Sequence, residues 1–266
     1  MLLAIDVGNT NTVLGLYRGD ELLRDWRLNT DKVRTVDEWS MIVRQLFALA
    51  GREIAEVQHL IIASVVPQQA AALAALGRDD LRVPVVQVGP ELTTGLPIRY
   101  DNPREVGADR IVNAVAAFER CRGSVIVVDF GTATTFDYLS AQGEYLGGAI
   151  APGPHLSAEA LYHQTSKLPR VEFACPPRVI ARNTVQSIQS GLLYGYVGLV
   201  DGLVDRMRAE GNEDSQVIAT GGLAGLIAPH SRTIGEVVPH LTLEGLRLIF
   251  ERNRCQPPNG DCGNRN

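Results

Sequence analysis

Three absences narrow the possible functions of this chain. No uninterrupted apolar run approaches the roughly 18 residues that a membrane-spanning helix needs, and the apolar start of the chain stops at Asp6 without a basic segment or a cleavage site. Lysine and arginine number 25 against 30 aspartates and glutamates, so the chain lacks the positive field that attracts nucleic acid phosphates. We therefore expect no membrane segment, no export signal and no nucleic acid partner.

Cysteine is also scarce, with four residues scattered over 266 positions, and a chain of this size needs no covalent staples. Reduced thiols and a cytoplasmic location are therefore expected. The five histidines do not have the spacing of a zinc site, and neither the glycine-serine motif of serine hydrolases nor a P-loop occurs. These absences disfavour zinc chemistry, serine hydrolysis and P-loop nucleotide binding.

The composition that is present, 45% hydrophobic and 21% charged, predicts a folded globular chain. Its apolar pattern predicts an α/β fold in which strands and helices alternate, and a capping-box pattern begins at Thr35. Residues 89–106 are punctuated by proline and glycine and predict a long loop, a kind of segment that is often functional. The predicted strands are 1–6, 12–17, 22–28, 60–66, 83–88, 124–128, 134–139 and 217–218, and the predicted helices are 35–50, 68–76, 108–120 and 183–205.

The opening of the chain is repeated near its middle. Residues 2–12 and 125–135 each consist of four apolar residues, an Asp-x-Gly step at Asp6 or Asp129, and a turn rich in threonine or asparagine. Aligned without a gap, the two segments pair Thr12 with Thr135. The repeat predicts two similar domains with a cleft between them.

The spacing of the repeat places the predicted domain boundary near the middle of the chain. The first domain is predicted to span residues 1–118 and the second residues 119–254. Residues 255–266 are rich in proline, glycine and asparagine and lack an apolar pattern, which predicts a disordered tail.

The two repeated turns carry the groups expected of a phosphate site. A carboxylate beside backbone N–H groups and hydroxyls can hold nucleotide phosphates with their Mg²⁺ ion. In this interpretation Asp6 favours Mg²⁺, whereas Asp129 and Thr132 lie on the other side of the phosphate chain. The alternative is an ordinary hairpin in which the aspartate and asparagine satisfy the turn backbone. The repetition favours the phosphate site.

A third cluster, Gly107-Ala108-Asp109-Arg110, lies at the first turn of the predicted helix 108–120. The positive end of the helix dipole keeps a carboxylate there ionised, and an ionised Asp109 can accept a hydroxyl proton. Arg110 can hold a substrate carboxylate or carbonyl. The alternative is a capping aspartate beside a solvated arginine.

Further glycines leave two interpretations open. Residues 147–153 predict a glycine-rich turn, and residues 219–222 follow a strand, where glycines allow a flat ligand such as adenine or ribose to lie against the backbone. A tight structural turn explains these clusters equally well.

In the predicted helix 183–205 one narrow face allows another helix to approach, either inside the domain or across a dimer axis. That face consists of Gly191, Gly195, Gly198 and Gly202.

Taken in order, these motifs resemble those of the type III pantothenate kinases, and the resemblance covers residues 1–252. The family is part of the superfamily of acetate and sugar kinases, heat-shock chaperone ATPases and actin. It implies two similar ribonuclease-H-like, actin-like ATPase domains with a nucleotide cleft between them. The motifs are Asp6-Val7-Gly8-Asn9-Thr10 with Gly15, Gly107-Ala108-Asp109-Arg110, Asp129-Phe130-Gly131-Thr132-Ala133-Thr134-Thr135 and Thr220-Gly221-Gly222.

The resemblance implies an ATP-dependent kinase that converts pantothenate to 4′-phosphopantothenate, the first step of coenzyme A biosynthesis. It implies that Asp109 is the general base, that Asp129 holds a monovalent cation, K⁺ or NH₄⁺, and that the protein is a homodimer in which Thr184 reaches the partner's site. The implied ATP-binding residues are Asp6, Val7, Gly8, Asn9, Thr10, Asn11, Thr12, Val13 and Thr132. The implied pantothenate-binding residues are Tyr100, Gly107, Ala108, Asp109, Arg110 and Thr184.

Two other functions are compatible with the same fold. Sugar kinases and polyphosphate hydrolases share it, but the Gly107–Arg110 motif with Tyr100 upstream favours pantothenate. Some relatives of the family act as accessory factors for transcription. The presence of Asp6, Asp109 and Asp129 together argues against a purely regulatory role.

Overall fold

The computed structural model describes residues 1–89, 92–211 and 214–254. The predicted disordered tail, with Cys255 and Cys262, lies outside the described residues. The described chain forms two compact units. The first contains residues of Met1–Gly95, Gly107–Val115 and the stretch from Thr242 onward; the second contains Leu96–Val106 and residues of Ala116–Leu241.

The strands of the first unit are β1 (Leu2–Val7), β2 (Asn11–Arg18), β3 (Glu21–Asn29), β4 (His59–Ser64) and β5 (Val85–Gln87). Those of the second are β6 (Val125–Phe130), β7 (Ala133–Leu139), β8 (Tyr145–Pro152), β9 (Gln216–Gly221) and β10 (Glu236–Val237). The α-helices are α1 (Val36–Leu49), α2 (Pro67–Ala75), α3 (Ala108–Cys121), α4 (Pro154–His163), α5 (Thr184–Gly211), α6 (Ala224–Ile227) and α7 (Leu241–Asn253). None of these described helices has both the length and the apolar character needed to cross a membrane.

The two sheets repeat one topology. Their strand orders are β3-β2-β1-β4-β5 and β10-β9-β6-β7-β8. In each sheet the first strand of the unit is central, runs antiparallel to the next strand along the chain, and runs parallel to a strand that follows a helical crossover. The predicted α/β class and the predicted structural repeat are therefore confirmed.

Apolar residues on the central strands and on one face of each packed helix build the two cores. In the first unit Trp39, Val43 and Phe47 of α1 are buried against Leu3 and Ile5 of β1. In the second unit the long helix α5 and strands β6 and β7 provide the core. Its buried residues include Ile126, Val128, Phe136, Leu193 and Val200.

The predicted capping box at the start of α1 is present. The backbone N–H and the hydroxyl of Thr35 donate to the Glu38 carboxylate at 2.7 and 2.9 Å, and the Glu38 N–H donates back to the hydroxyl. These bonds favour the ionised carboxylate, so the Thr35 N–H above all holds the pKa of Glu38 below its usual range. The entry to α1 is thus determined by four consecutive residues, as the sequence predicted.

The predicted turn at residues 147–153 is wrong, because strand β8 occupies Tyr145–Pro152. Glycine weakens a strand, but here pairing with β7 overrides that preference: Gly147 lies opposite Tyr138 and Gly148 opposite Asp137. Gly147 has a φ of 129°, a backbone conformation that disfavours any larger residue.

The last helix, α7, belongs with the first unit, so each unit is built from separate stretches of the chain. The predicted domains, 1–118 and 119–254, divide the chain at a single point. Two glycines let α7 lie close to its neighbours. A Cβ on Gly15 of β2 would lie 2.8 Å from Leu243, and a Cβ on Gly245 would lie 2.0 Å from the Val112 carbonyl oxygen of α3. The predicted domain boundary between residues 118 and 119 stays a proposal about where the second copy of the sequence repeat begins.

Candidate active site

The first predicted phosphate loop is the turn that joins β1 to β2. Asp6 lies opposite Val13 in the antiparallel ladder and is partly exposed, and Asn9 and Thr10 are exposed at the tip. The N–H of Gly8 donates to the Asn11 carbonyl oxygen at 3.0 Å. The turn therefore presents a carboxylate, a glycine backbone and polar side chains at one end of the sheet, the set of groups that a phosphate chain requires.

Thr12 does not lie at the tip of this turn. Its side chain is fully buried opposite Val7, and its hydroxyl oxygen lies 2.9 Å from that of Thr30, the residue that follows β3. The hydroxyl therefore braces the turn from inside and is not exposed at its tip, and ATP binding by Thr12 stays a prediction.

The second predicted phosphate loop joins β6 to β7 in the same way. The Gly131 N–H donates to the Ala133 carbonyl oxygen at 3.1 Å, and Thr132 is exposed at the tip. This turn is one residue shorter than the first, and Thr134 lies opposite Phe130 just as Thr12 lies opposite Val7. The ungapped pairing of Thr12 with Thr135 is therefore wrong, and Thr134 is the counterpart of Thr12.

Asp129 lies between Thr135 on one neighbouring strand and Thr220 on the other. Next to it, Gly221 has a φ of 90°, and a Cβ there would lie 2.6 Å from Asp129 Oδ1 and 2.6 Å from the Phe130 carbonyl oxygen. Gly221 thus leaves room at a point where a carboxylate and a carbonyl oxygen converge. Residues 222 and 223 form a turn directly after β9, as the simple-turn interpretation predicted, and the flat-ligand interpretation stays a prediction.

The oxygen donors beside Gly221 fit a monovalent cation. Carbonyl and carboxylate oxygens replace the water shell of ions such as K⁺. Among the residues that the structure describes, there is no group of three or more His, Cys, Asp or Glu side chains that could hold a metal ion. The carboxylate of Asp129 and the Phe130 carbonyl are oxygen donors, the ligand type that alkali and alkaline-earth cations prefer.

Asp109 lies in the first turn of α3, which begins at Ala108. Its carboxylate accepts the backbone N–H of Arg110 at 2.9 Å. A Cβ on Gly107 would lie only 2.5 Å from Asp109 Oδ1, so the carboxylate folds back over a glycine. The side chain of Arg110 is buried, with 6% exposure, and is not a solvated surface group. The motif therefore places a carboxylate at the positive end of the helix, and the residue that follows it is a buried arginine.

Tyr100 belongs to a segment that is docked on the start of β8. The Tyr145 N–H donates to the Pro97 carbonyl oxygen at 2.9 Å, and the Arg99 N–H donates to the Tyr145 carbonyl oxygen at 2.8 Å. The Arg99 guanidinium also donates twice to one Glu144 carboxylate oxygen, at 2.8 and 2.6 Å. Residues 97–100 are thus held at a fixed place along the edge strand.

The ring of Tyr145 also supports Tyr100 directly. The two ring centroids are 6.3 Å apart, and the Tyr145 hydroxyl donates to Asp137 Oδ1 at 2.6 Å. Tyr145 and Asp137 are both buried, with 1% and 0% exposure. Sequence reasoning did not identify this pair. The available signal was an aspartate inside an apolar strand, since a buried carboxylate requires a partner.

Thr184 is the first residue of α5, where the Asn183 side chain caps the helix by accepting the Gln186 N–H at 2.9 Å. Along this helix Gly191, Gly195 and Gly198 are exposed, and a Cβ on any of them would meet no described atom within 4 Å apart from its chain neighbours and the nearby backbone of α5 itself. The internal-packing interpretation of these three glycines is therefore wrong for the part of the chain that the structure describes.

The predicted site residues fall into two sets, one in each compact unit. The first unit holds the turn with Asp6 and the start of α3 with Asp109; the second holds Tyr100, Asp129, Thr132 and Thr184. Within the second unit, Asp129 and Thr132 share one turn, whereas Tyr100 is docked on β8 and Thr184 begins α5.

Comparison with known proteins identifies the family. Residues 2–206 match the family model described as type III pantothenate kinase. A protein of Geotalea uraniireducens named type III pantothenate kinase is 59% identical over 254 residues, covering 96% of this chain and 99% of the relative. A protein of the same name from Geobacter sulfurreducens is 59% identical over 254 residues, covering 96% and 100% of the two chains.

Solved structures share the fold at low identity. A Campylobacter jejuni protein named after the Baf family of transcriptional activators is 18% identical with a TM-score of 0.60, over 95% of this chain and 98% of that one. A Sinorhizobium meliloti protein named for 2-dehydro-3-deoxygalactonokinase is 15% identical with a TM-score of 0.56, over all of both chains. These likenesses show the two-unit α/β fold alone. The sequence matches show more: this chain belongs to the type III pantothenate kinase family.

Proposed function

We infer that this protein transfers the γ-phosphoryl group of ATP to the primary hydroxyl of pantothenate, forming 4′-phosphopantothenate, the first intermediate of coenzyme A biosynthesis. Family membership carries the reaction class. In the structure, the observation that supports it best is the pair of Asp-x-Gly turns, which occur at the same register in both units.

The turn from Asp6 to Val13 is proposed to hold the phosphates of ATP, with Thr132 as a further contact. Its exposed tip offers Asn9 and Thr10 as donors, and Gly8 permits close approach of the backbone. Asp6 is the proposed ligand of Mg²⁺, which prefers one or two carboxylates together with phosphate and water oxygens. When bound, the ion would neutralise charge on the phosphate oxygens; the protein groups orient the chain for in-line attack.

Asp109 is the proposed general base. It accepts the proton of the pantothenate hydroxyl while the hydroxyl oxygen attacks the γ-phosphorus. Tyr100, Gly107, Ala108, Arg110 and Thr184 are the proposed pantothenate contacts. Among them Arg110 provides a cation suited to the pantothenate carboxylate.

Asp129 is proposed to bind K⁺ or NH₄⁺ together with the Phe130 carbonyl oxygen. A cation there would supply positive charge beside the phosphate-binding turn, and Gly221 provides the space. We further propose a cytoplasmic location, as expected for a chain whose described cysteines, Cys121 and Cys175, are free thiols.

A homodimer is proposed from the surface of the second unit. The exposed glycines of α5 lie in the same unit as several exposed apolar side chains, and a contiguous apolar patch is typical of a protein interface. A second copy of α5 fits a glycine face best, because small residues allow two backbones to approach. The exposed apolar residues are Leu146, Ile150, Leu156, Leu161, Tyr162, Val179, Ile180 and Val185.

The test is a product assay with purified protein, ATP, Mg²⁺, K⁺ and pantothenate, in which phosphopantothenate is detected by its mass. Sugar substrates and inorganic polyphosphate serve as competing substrates, since enzymes that use them share the fold. The proposal is supported if the protein phosphorylates pantothenate and none of the competing substrates. A folded protein that forms no phosphopantothenate, or that phosphorylates a sugar instead, would refute it.

A further inference from the structure

We propose that Thr30 is a positioning residue for the first phosphate loop: it fixes the turn between β1 and β2 in the shape that binds the phosphates of ATP. The inference rests on the proposed function, since it assumes that this turn holds ATP. Thr30 belongs to none of the motifs considered above, and it lies just beyond β3, the third strand of the unit.

Thr30 contacts the turn at three of its residues. Its backbone N–H donates to the Thr10 carbonyl oxygen at 2.8 Å. Its hydroxyl donates to the Gly8 carbonyl oxygen at 2.8 Å and lies 2.9 Å from the hydroxyl oxygen of Thr12. One residue therefore ties the start, the tip and the end of the loop to the third strand.

Hydrogen counting fixes the direction of these bonds. A hydroxyl has one hydrogen, and that of Thr30 is used on the Gly8 carbonyl oxygen. The Thr12 hydroxyl must therefore donate to the Thr30 oxygen. Thr12 is fully buried, so without Thr30 its hydroxyl would lose this partner, and an unsatisfied buried donor is costly. The loop is thus held by a directed relay from Thr12 through Thr30 to Gly8.

The chain that follows Thr30 is anchored independently. The guanidinium carbon of Arg34 lies 4.7 Å from the centre of the Trp39 ring, and the Arg34 carbonyl oxygen accepts the Gln69 side-chain N–H at 3.0 Å. The indole N–H of Trp39 donates to Gln69 Oε1 at 2.6 Å. Trp39 and Gln69 are each 1% exposed. Thr30 therefore lies between β3 and a second fixed point, so it can hold the turn rigidly.

The second unit has a residue in the same place. Gly153 follows β8, the third strand of that unit, and its N–H donates to the Thr132 carbonyl oxygen at 3.1 Å, as the Thr30 N–H donates to Thr10. A Cβ on Gly153 would lie 2.2 Å from the Thr132 carbonyl oxygen and 2.5 Å from that of Gly131. Since the φ of Gly153 is −75°, which any residue can adopt, space alone demands glycine there.

The two units thus brace their phosphate loops from the same position by different means. In the first, a hydroxyl spans the gap to the loop; in the second, the backbone itself lies against the loop. Because the second unit places a backbone N–H donor at the same point, the Thr30 N–H contact is a feature of how the loop is built, and the hydroxyl contacts are the addition made by the first unit.

The test compares Thr30→Val with Thr30→Ser. Valine keeps the branched shape but removes the donor and acceptor, whereas serine keeps the hydroxyl. Thr233→Val is the matched control, because the Thr233 hydroxyl donates at 2.8 Å to Asp201 and neither residue is among the proposed site residues. We expect Thr30→Val to lower kcat/KM for ATP about tenfold, equivalent to about 1.4 kcal/mol, with KM for pantothenate unchanged. Thr30→Ser should retain most of the wild-type value.

Calorimetric Kd values for a non-hydrolysable ATP analogue provide a second readout that does not depend on the substrate. Thr30→Val should weaken binding, and Thr233→Val should not. Equal impairment of the valine and serine variants, or a rise in KM for pantothenate as large as that for ATP, would overturn the positioning role. A wild-type protein that binds ATP but does not phosphorylate pantothenate would refute the proposed function and leave the Thr30 comparison intact.

Discussion

Replacing Gly107 by alanine should displace the proposed catalytic carboxylate without removing it. The new Cβ would lie 2.5 Å from Asp109 Oδ1, whereas an unstrained contact needs about 3.5 Å. The Asp109 side chain is the group that can move, since it is short and partly exposed, so it must shift by about 1 Å. A misplacement of that size costs up to about 100-fold in rate, so we expect kcat to fall between about 10-fold and 100-fold, equivalent to about 1.4 to 2.7 kcal/mol.

The assay for Gly107→Ala is steady-state phosphorylation of pantothenate, with thermal unfolding measured in parallel. The melting temperature should stay near the wild-type value because Gly107 does not have a positive φ, so alanine can adopt its backbone conformation. Gly225→Ala is the control, since a Cβ there meets no described atom within 4 Å. An alanine variant at 107 with wild-type kcat would show that the position of the Asp109 carboxylate does not control the reaction.

Three further predictions follow from the second unit. Tyr145→Phe should raise KM for pantothenate by about three- to tenfold and leave KM for ATP unchanged, because a lost buried hydrogen bond costs about 1 kcal/mol or more. Tyr138→Phe is the control, and equal effects of the two variants would contradict the role of Tyr145. If Asp129 holds a cation, activity should be near background in sodium buffer and return with potassium or ammonium; equal rates in sodium, potassium and choline would exclude this. Gly195→Leu should convert the proposed dimer to inactive monomers, because overpacking costs about 1–3 kcal/mol and a two-fold interface contains the change twice. Light scattering measures the oligomeric state, and a variant that stays dimeric and active would contradict the proposed interface.

Local patterns were sufficient to predict most elements. The first two strands and their turn, the capping box at Thr35 and the helix that carries Asp109 each depend on neighbouring residues, and the structure places all of them where the sequence indicated. The internal repeat also predicted two similar sheets, because identical topology follows from repeating one strand–turn–strand unit. The aspartates at 6 and 129 could therefore be placed on equivalent turns.

The contacts that support the site depend on pairing between distant residues. Thr30 reaches Gly8 only because β3 pairs with β2, and nothing in the sequence near Thr30 records that register. Strand β8 was missed because its glycines weaken strand preference, while its pairing with β7 depends on the whole sheet. The support of Tyr100 by Tyr145 was missed with it, since that contact requires the strand.

The most direct test of the central claim is phosphopantothenate formation by Asp109→Asn beside the wild-type protein, with pantothenate binding measured separately. Asparagine keeps the shape and hydrogen-bonding capacity of the side chain but cannot act as the base, and a general base contributes about 10²- to 10⁴-fold. The wild-type protein should form phosphopantothenate from ATP, and the variant should lose nearly all turnover while its Kd for pantothenate changes little. A variant that retains more than about a tenth of the wild-type rate would contradict the account, because even the smallest contribution expected of a general base is larger than tenfold.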